Sequence, residues 1–142
     1  MRALLDVNVL LALMDKDHFH HRPALAWWRS DRDHGWASCP LTQNGFVRIS
    51  CQGDYPGRPT VERAIEQLQL QLAEPGHAFW PDDISIANGD LIDRRRMLGP
   101  NQITDAYLLA LAVRNGGRLV TFDRSIALTA VRGAEPKHLV TI

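Results

Sequence analysis

The chain has 142 residues, of which 45% are hydrophobic and 23% charged, and its 16 Lys and Arg are balanced by 16 Asp and Glu. This length predicts one domain over residues 1–142 that folds without disulfides or a structural metal, and the composition excludes a disordered or collagen-like chain. The zero net charge gives no general basic surface for nucleic acid, so any such site must be local.

Short apolar runs and capping residues predict the elements of the first half of the chain. They are a strand over Arg2–Asp6, a helix that Asn8 caps and Val9–Met14 form, a helix from Pro23 through Trp28, a strand over Gly35–Cys39 and a helix from Pro40 through Ile49. The segment Gly53–Pro59 has too many glycines and prolines for regular structure. Apolar residues at a spacing of three and four then predict an amphipathic helix over Val61–Leu72, which Thr60 caps and Pro75 ends.

The second half of the chain continues the alternation. It predicts a strand over His77–Trp80, a helix through Leu91–Leu98, a long helix that begins between Pro100 and Thr104 and ends before Asn115, a strand over Arg118–Phe122 and a terminal strand over His138–Ile142. Short apolar strands that alternate with helices indicate parallel pairing and a sheet covered on both faces. We therefore expect a three-layer α/β/α sandwich around a parallel sheet of four to five strands.

Three aspartates occupy the positions where open α/β sheets place their ligands, outside the carboxyl ends of the strands. Asp6 ends the first strand, Asp123 ends the fourth and Asp105 lies at the start of the long helix. Taken singly, Asp105 can cap its helix and Asp123 can open a turn. Taken together, carboxylates at apolar strand ends need a cation or hydrogen bonds to stay ionised.

The residue types around these acids indicate which cation would fit. No histidine or cysteine accompanies them, and a set of carboxylates favours Mg²⁺, with Mn²⁺ as a second candidate, over zinc. An ion of this kind can bind a phosphate oxygen and lower the pKa of a water molecule. The three acids therefore predict phosphodiester chemistry.

Four segments also carry a family resemblance: LLDVNVLLAL with Asp6, CPLTQNGFVRIS at Cys39–Ser50, ITDAYLLALA with Asp105 and VTFDR with Asp123. In this order, and over nearly the whole chain, they resemble the PIN-domain ribonucleases of the VapC toxin type. The resemblance implies a PIN-like fold and a Mg²⁺-dependent endoribonuclease that is the toxin of a type II toxin–antitoxin pair. It also implies a homodimer, an RNA substrate and a VapB-like antitoxin whose tail enters the active-site groove.

One position departs from that family. Where a glutamate is common, in a sequence similar to Thr-Glu-Asn-Gly, this chain has Gln43. A neutral carbonyl oxygen attracts a divalent ion less strongly than a carboxylate does, so we expect weaker metal binding. Asp82 or Asp83, just after the third strand, could compensate for the missing charge or could cap the following helix.

These observations give the candidate site. Its catalytic residues are Asp6, Asp105, Asp123 and Gln43, of which the three aspartates are the metal ligands, and its substrate-binding residues are Asn8, Thr104 and Arg124. The expected reaction is attack of an activated water on phosphorus, which leaves a 5′-phosphate end. The alternative is a PIN-like module that has lost catalysis through Gln43 and acts by binding RNA or antitoxin.

Three further groups of residues admit two interpretations each. His18, His20 and His21 are a metal site or part of a solvated loop. Arg94–Arg96 grip RNA phosphates or the antitoxin, or form a solvated helix end. The tryptophans stack on unpaired bases or pack in the core or a dimer interface; these are Trp27, Trp28 and Trp80.

The sequence also bears on location. The longest apolar run, Val9 to Met14, is too short to span a bilayer, which takes about 20 residues. Asp6 interrupts the first apolar run, and no small-residue cleavage site follows, so this segment lacks the pattern of a secretory signal. Cys39 and Cys51 have no metal-site spacing and are expected to be reduced thiols. We expect a cytoplasmic protein that does not enter the membrane.

Overall fold

The computed structural model describes residues 1–142 and contains one sheet of five strands in the order β3-β2-β1-β4-β5, all parallel. The strands are β1 (Ala3–Leu5), β2 (Trp36–Ser38), β3 (His77–Phe79), β4 (Arg118–Thr121) and β5 (Leu139–Thr141). The helices are α1 (Val7–Met14), α2 (His21–Asp31), α3 (Pro40–Ser50), α4 (Val61–Leu72) and α5 (Ile103–Arg114). The predicted parallel α/β architecture is confirmed.

Alternation along the strands divides the core into two layers. Leu4, with its partner Leu119, packs against α5, whereas Leu5, Trp36 and Val120 pack against α1, α3 and α4. Successive side chains of a strand point to opposite faces, so strands that are apolar throughout require cover on both sides. The helices supply that cover and make the three-layer sandwich.

The predicted helix through Leu91–Leu98 is wrong. Its place is taken by turns, an isolated bridge between Ile92 and Val131, and one 3₁₀ turn over Arg94–Arg96. The backbone nitrogen of Asp90 donates to the side chain of Asn88 at 2.9 Å, which is a local turn that competes with a helix. The remaining predicted elements form, with ends that differ by a few residues.

The first cap was also misplaced. Asn8 lies inside α1, and Asp6 is the N-cap. Since Asp6 directly follows β1 and caps α1, no loop separates the strand from the helix. The side chain of Asp6 is therefore fixed at the carboxyl edge of the sheet by two regular elements.

Close contact between helices also positions this edge. A Cβ atom added at Gly45 of α3 would lie 2.6 Å from Val7 Cγ2, so only glycine lets α3 approach the first turn of α1 this closely. At the other side of the edge, Gln102 Nε2 donates to the carbonyl oxygen of Ser125 at 3.0 Å and ties the start of α5 to the segment after β4. None of the helices has the length and apolar character needed to cross a bilayer.

Candidate functional site

Asp6 is held at the end of β1 by hydrogen bonds to both of its carboxylate oxygens. Oδ1 accepts from the backbone nitrogen of Val7 at 2.7 Å, and Oδ2 accepts from Thr121 Oγ1 at 2.9 Å. The residue is only 7% exposed. Burial raises the pKa of Asp6, and the two hydrogen bonds oppose this effect.

Thr121 links two of the acids, and the sequence analysis missed it. This fully buried residue donates to Asp6 and accepts from the backbone nitrogen of Asp123 at 3.0 Å. One hydroxyl therefore fixes a carboxylate at the end of β1 and the chain direction at the end of β4. Its signal in the sequence was a polar residue at the end of an apolar strand, two positions before an aspartate.

Asp123 follows β4 and is stabilised in its ionised form. Its Oδ1 accepts from the backbone nitrogen of Ser125 at 2.7 Å and from Ser125 Oγ at 2.6 Å. These bonds hold the pKa of Asp123 below its usual range. Because Ser125 is also bonded to Gln102, the loop that carries Asp123 is fastened to the N-terminus of α5.

Asp105 lies in the first turn of α5 and completes the cluster. Burial, and then the charges of Asp6 and Asp123, raise the pKa of Asp105 to about 6. Its carboxyl group is within hydrogen-bonding reach of Asp123, so the pair can share one proton, with Asp105 as the donor. The fold thus brings three acids from distant parts of the chain into mutual electrostatic contact.

Gln43 is turned toward a different set of residues. Its Nε2 donates to Ser38 Oγ at 2.9 Å, and Ser38 Oγ lies 2.8 Å from His77 Nε2. Gln43 accordingly makes no hydrogen bond to any of the three aspartates. Neither Ser38 nor His77 belongs to a recognisable sequence motif, so the sequence does not predict either of them as a site residue.

The three candidate substrate-binding residues are all exposed. Asn8 lies in the first turn of α1, Thr104 precedes Asp105 in α5, and Arg124 follows Asp123. Arg124 forms no ion pair within the chain. Each side chain is thus free to contact a ligand beside the aspartate that is nearest to it in sequence.

Asp82 is a helix cap, although not of the helix that was expected. Its Oδ2 accepts from the backbone nitrogen of Leu41 at 3.0 Å, so it satisfies a donor in the first turn of α3. Cys39, the N-cap of α3, contributes to the same turn together with Thr42. Asp82 makes no hydrogen bond to Asp6, Asp105 or Asp123.

His18 and His20 lie in the loop before α2 and His21 begins that helix, and the three side chains do not form a cluster of metal ligands. His20 stacks on Phe122 with ring centroids 4.6 Å apart, and His21 Nδ1 lies 2.7 Å from the carbonyl oxygen of Ala12. His18 Nδ1 accepts from the backbone of His20 at 3.0 Å. These separate partners support the loop interpretation.

For the tryptophans and the three arginines, the surrounding structure also decides between the two interpretations. Trp80 is buried in the core, and Trp28 packs edge-on to Trp36 with centroids 6.1 Å apart, so the core interpretation holds for these rings. Arg94–Arg96 are exposed and form no ion pairs. The proposed solvated helix end does not apply to them, because no α-helix forms there.

The chemistry of the donor set fits a hard divalent cation. Three carboxylates lie at one edge of the sheet, where burial and then the charges of Asp6 and Asp123 raise the pKa of Asp105, and no side-chain cation forms an ion pair with any of them. The oxygens do not yet converge: no group of three or more His, Cys, Asp or Glu side chains is arranged to hold a metal ion. Binding of an ion would therefore require these side chains to move closer together.

Comparison with known proteins finds similarity to PIN-domain proteins over nearly the whole chain. The PIN domain family model matches residues 3–132. The chain is 55% identical to Ribonuclease VapC44 of Mycobacterium tuberculosis over 142 residues, which is 100% of both chains. It is 44% identical to Ribonuclease VapC39 of the same organism over 134 residues, covering 94% of this chain and 96% of the relative.

Two solved structures share the fold at low sequence identity. The crystal structure of VapBC2 from Rickettsia felis bound to a DNA fragment from their promoter matches with a TM-score of 0.61 and 13% identity, covering 100% of this chain and 98% of that chain. The M. tuberculosis VapC20, a sarcin-ricin loop cleaving toxin, matches with a TM-score of 0.56 and 10% identity, covering 82% and 85%. At this identity the likeness concerns the fold alone.

Proposed function

The chain belongs to the PIN-domain family, among the VapC-type toxins, and on this premise we propose that it is a Mg²⁺-dependent endoribonuclease and the toxin of a type II toxin–antitoxin pair. The observation that carries the proposal is the cluster of three aspartates, in which the two neighbouring acids help to raise the pKa of Asp105 to about 6. Such mutual repulsion is what a bound divalent cation relieves. Mn²⁺ is the second candidate ion.

In the proposed mechanism, Asp6 and Asp105 would be direct ligands of the ion, and Asp123 would help to hold it. When bound, the cation supplies neutralisation of phosphate charge and a lower pKa for the attacking water. Asp105 must lose its proton before it can serve as a ligand, so activity should rise with pH through about 6.

The other residues are assigned to the substrate. Gln43 orients water or the scissile phosphate, and Arg124, Thr104 and Asn8 contact the RNA beside the acids. Water is the nucleophile, so the 2′-hydroxyl takes no part in the reaction. The bond between phosphorus and the ribose 3′-oxygen breaks, solvent protonates that leaving oxygen, and the product carries a 5′-phosphate.

The proposed partners follow from the relatives. VapBC2 of Rickettsia felis is described as a complex bound to DNA of its promoter, and a VapB-like antitoxin is the corresponding partner for this chain. We also expect a homodimer and a location in the cytoplasm. These assignments can be tested by co-purification with the product of the adjacent reading frame.

The direct test is cleavage of total cellular RNA, with the ends mapped, in the presence and absence of Mg²⁺. We expect discrete cuts with 5′-phosphate ends that need the metal and disappear in Asp6→Asn. The matched control is Asp33→Asn, since this aspartate is 98% exposed and lies away from the site. Cleavage by Asp6→Asn at the parent's rate would overturn the assignment of the site.

The neutral side chain of Gln43 supports a second candidate function, which is binding without catalysis. A PIN-like module without catalysis would bind RNA or antitoxin and cut nothing. Metal titration and cleavage are therefore compared between the parent and Gln43→Glu, whose extra carboxylate should tighten metal binding. Cleavage in neither protein would favour the binding module, whereas faster cleavage by the variant would identify the parent as a weakened nuclease.

A further inference from the structure

Three aromatic rings form a continuous stack that leads from the carboxylate cluster out to solvent. Phe122 directly precedes Asp123, and the ring of His20 stacks on it with centroids 4.6 Å apart and planes inclined by 26°. The ring of Phe19 meets that of His20 edge-on, with centroids 4.9 Å apart. None of the functions considered above uses these rings.

The inner end of the stack is fixed beside the acids. Thr121, the residue before Phe122, donates to Asp6 and accepts from the backbone nitrogen of Asp123. Phe122 is half-buried and packs against the core layer that contains α1. The stack therefore begins within one residue of two of the three acids, on the α1 side of this edge of the sheet.

The outer end of the stack is an apolar ring in solvent. Phe19 is 91% exposed, the highest value among the exposed large hydrophobic side chains of the chain. Trp80, by contrast, is buried in the core and offers no ring face to a ligand. Because Phe19 buries almost no area, its side chain contributes little to the stability of the fold. What this residue offers is its contact with His20 and an open aromatic face.

Hydrogen bonds on both sides hold the loop that carries Phe19. His18 Nδ1 accepts from the backbone nitrogen of His20 at 3.0 Å, and the carbonyl oxygen of His18 accepts from the backbone nitrogen of His21 at 3.0 Å. The ring of His21 is in turn bonded to the carbonyl oxygen of Ala12. The loop thus has a defined conformation in the free protein, which lowers the cost of ordering the ring on binding.

The charges around Phe19 indicate which part of a nucleotide would fit there. Phe19 borders a cleft of about 880 Å³, whose rim also carries Lys16, Asp15 and Asp17. The Tyr55 hydroxyl donates to the Asp15 carboxylate at 2.8 Å. One lysine beside two aspartates gives no net attraction for a phosphate. The open aromatic face is suited instead to a flat, uncharged ring system.

We propose that Phe19, supported by His20 and Phe122, is a stacking platform for an unpaired RNA base that flanks the scissile phosphate. The proposal rests on the proposed nuclease function, which brings an RNA strand to the acids next to Phe122. Every base has a π face, so such a platform accepts any base but needs it to be unpaired. The platform therefore favours RNA that is single-stranded at the cut.

The first experiment measures binding without catalysis. Fluorescence anisotropy follows a short labelled oligouridine in metal-free buffer, either single-stranded or annealed to oligoadenine. Phe19→Ala and Phe19→Leu should weaken binding of the single strand about 5- to 150-fold, the loss expected for one stacked base, and leave duplex binding unchanged. The control is Leu70→Ala, which removes an exposed apolar side chain from α4 and should bind as the parent does. Undiminished binding of the single strand by Phe19→Ala, an equal loss for both RNAs, or no binding by the parent would overturn the proposal.

The dependence of this binding on salt separates stacking from charge. Stacking releases no counterions, so the slope of log Kd against log salt concentration should be the same for Phe19→Ala and the parent. A smaller slope in Phe19→Ala would mean that the substitution acts through phosphate contacts, and it would refute the stacking role.

A second substitution reads the contact directly. Phe19→Trp keeps an aromatic face, and its added fluorescence should be quenched as oligouridine binds, with the midpoint found by anisotropy. Leu70→Trp places a matched exposed indole on α4 and should show no quenching beyond that of the four tryptophans of the parent. Equal quenching in the two variants would contradict a platform at position 19.

Two further results separate the platform from its alternatives. If Phe19→Ala binds oligouridine as the parent does but no longer co-purifies with the product of the adjacent reading frame, the surface belongs to the antitoxin and the proposal fails. If the parent cleaves no RNA but its binding of the single strand depends on Phe19, the nuclease function fails and the platform is supported.

Discussion

The ionisation of Asp105 gives a prediction about stability that needs no substrate. The folded chain raises the pKa of this carboxyl from 3.8 to about 6. The folded state thus binds the proton more tightly than the unfolded state, and metal-free protein should lose stability as pH rises from about 4 through 6. Below that window this contribution to stability is retained in full.

The size of the effect follows from the shift. A change from 3.8 to about 6 corresponds to at most about 3 kcal/mol in the free energy of unfolding. Asp105 is partly open to solvent, so screening reduces the expected cost to about 1–2 kcal/mol. Burial of Asp6 acts in the same direction, whereas Asp123 acts in the opposite one.

Replacing Asp105 by Asn removes the charge and keeps the shape of the side chain. Urea unfolding of the metal-free protein should show Asp105→Asn to be about 1–2 kcal/mol more stable than the parent at pH 7.5, with little difference at pH 4. Added Mg²⁺ should stabilise the parent more than the variant. The fully solvated Asp33→Asn is the control. If Asp105→Asn is less stable than the parent at pH 7.5, or if both proteins depend on pH alike, the reasoning about mutual repulsion is wrong.

Three further substitutions probe the framework of the site. Thr121→Val leaves Asp6 with one hydrogen bond fewer and should cost about 1–3 kcal/mol in urea unfolding while also raising the pKa of Asp6, which NMR titration can follow. Gly117→Ala should destabilise the chain by about 1–3 kcal/mol, because the new Cβ would lie 2.5 Å from the Trp80 ring; an unchanged thermal midpoint would contradict this packing. Asp82→Ala should lower the free energy of unfolding by about 0.5–2 kcal/mol through the lost cap of α3, and a loss confined to activity would argue for a role in the site instead.

Most of the architecture could be predicted because its signals are local. Apolar runs of three to five residues marked the strands, and the spacing of Leu68 and Leu72 marked α4. The wrong prediction at Leu91–Leu98 has a local cause as well: apolar residues there favour a helix, but the turn-forming residues Asn88, Gly89 and Asp90 precede them.

The N-cap of α1 could not be predicted from the residue types at single positions. Asn8 and Asp6 are both good N-cap residues, and the sequence alone does not say which of them the end of β1 leaves in the extended conformation. Pairing of Leu5 with Val120 extends the strand to the residue before Asp6. Long-range strand pairing therefore determines that Asp6, and not Asn8, is the N-cap of α1.

The sequence by itself determined the alternation of strands and helices, the three acids and the departure at Gln43. Only the tertiary structure decided what surrounds these residues: the hydroxyl of Thr121 bonded to Asp6, the closeness of Asp105 to Asp6 and Asp123, and the hydrogen bond of Gln43 to Ser38. The physical reason is the distance along the chain over which each kind of interaction acts. Periodicity and capping depend on neighbours within one or two turns, whereas hydrogen bonds and pKa shifts depend on atoms a few ångströms apart in space that can lie more than a hundred residues apart in the chain.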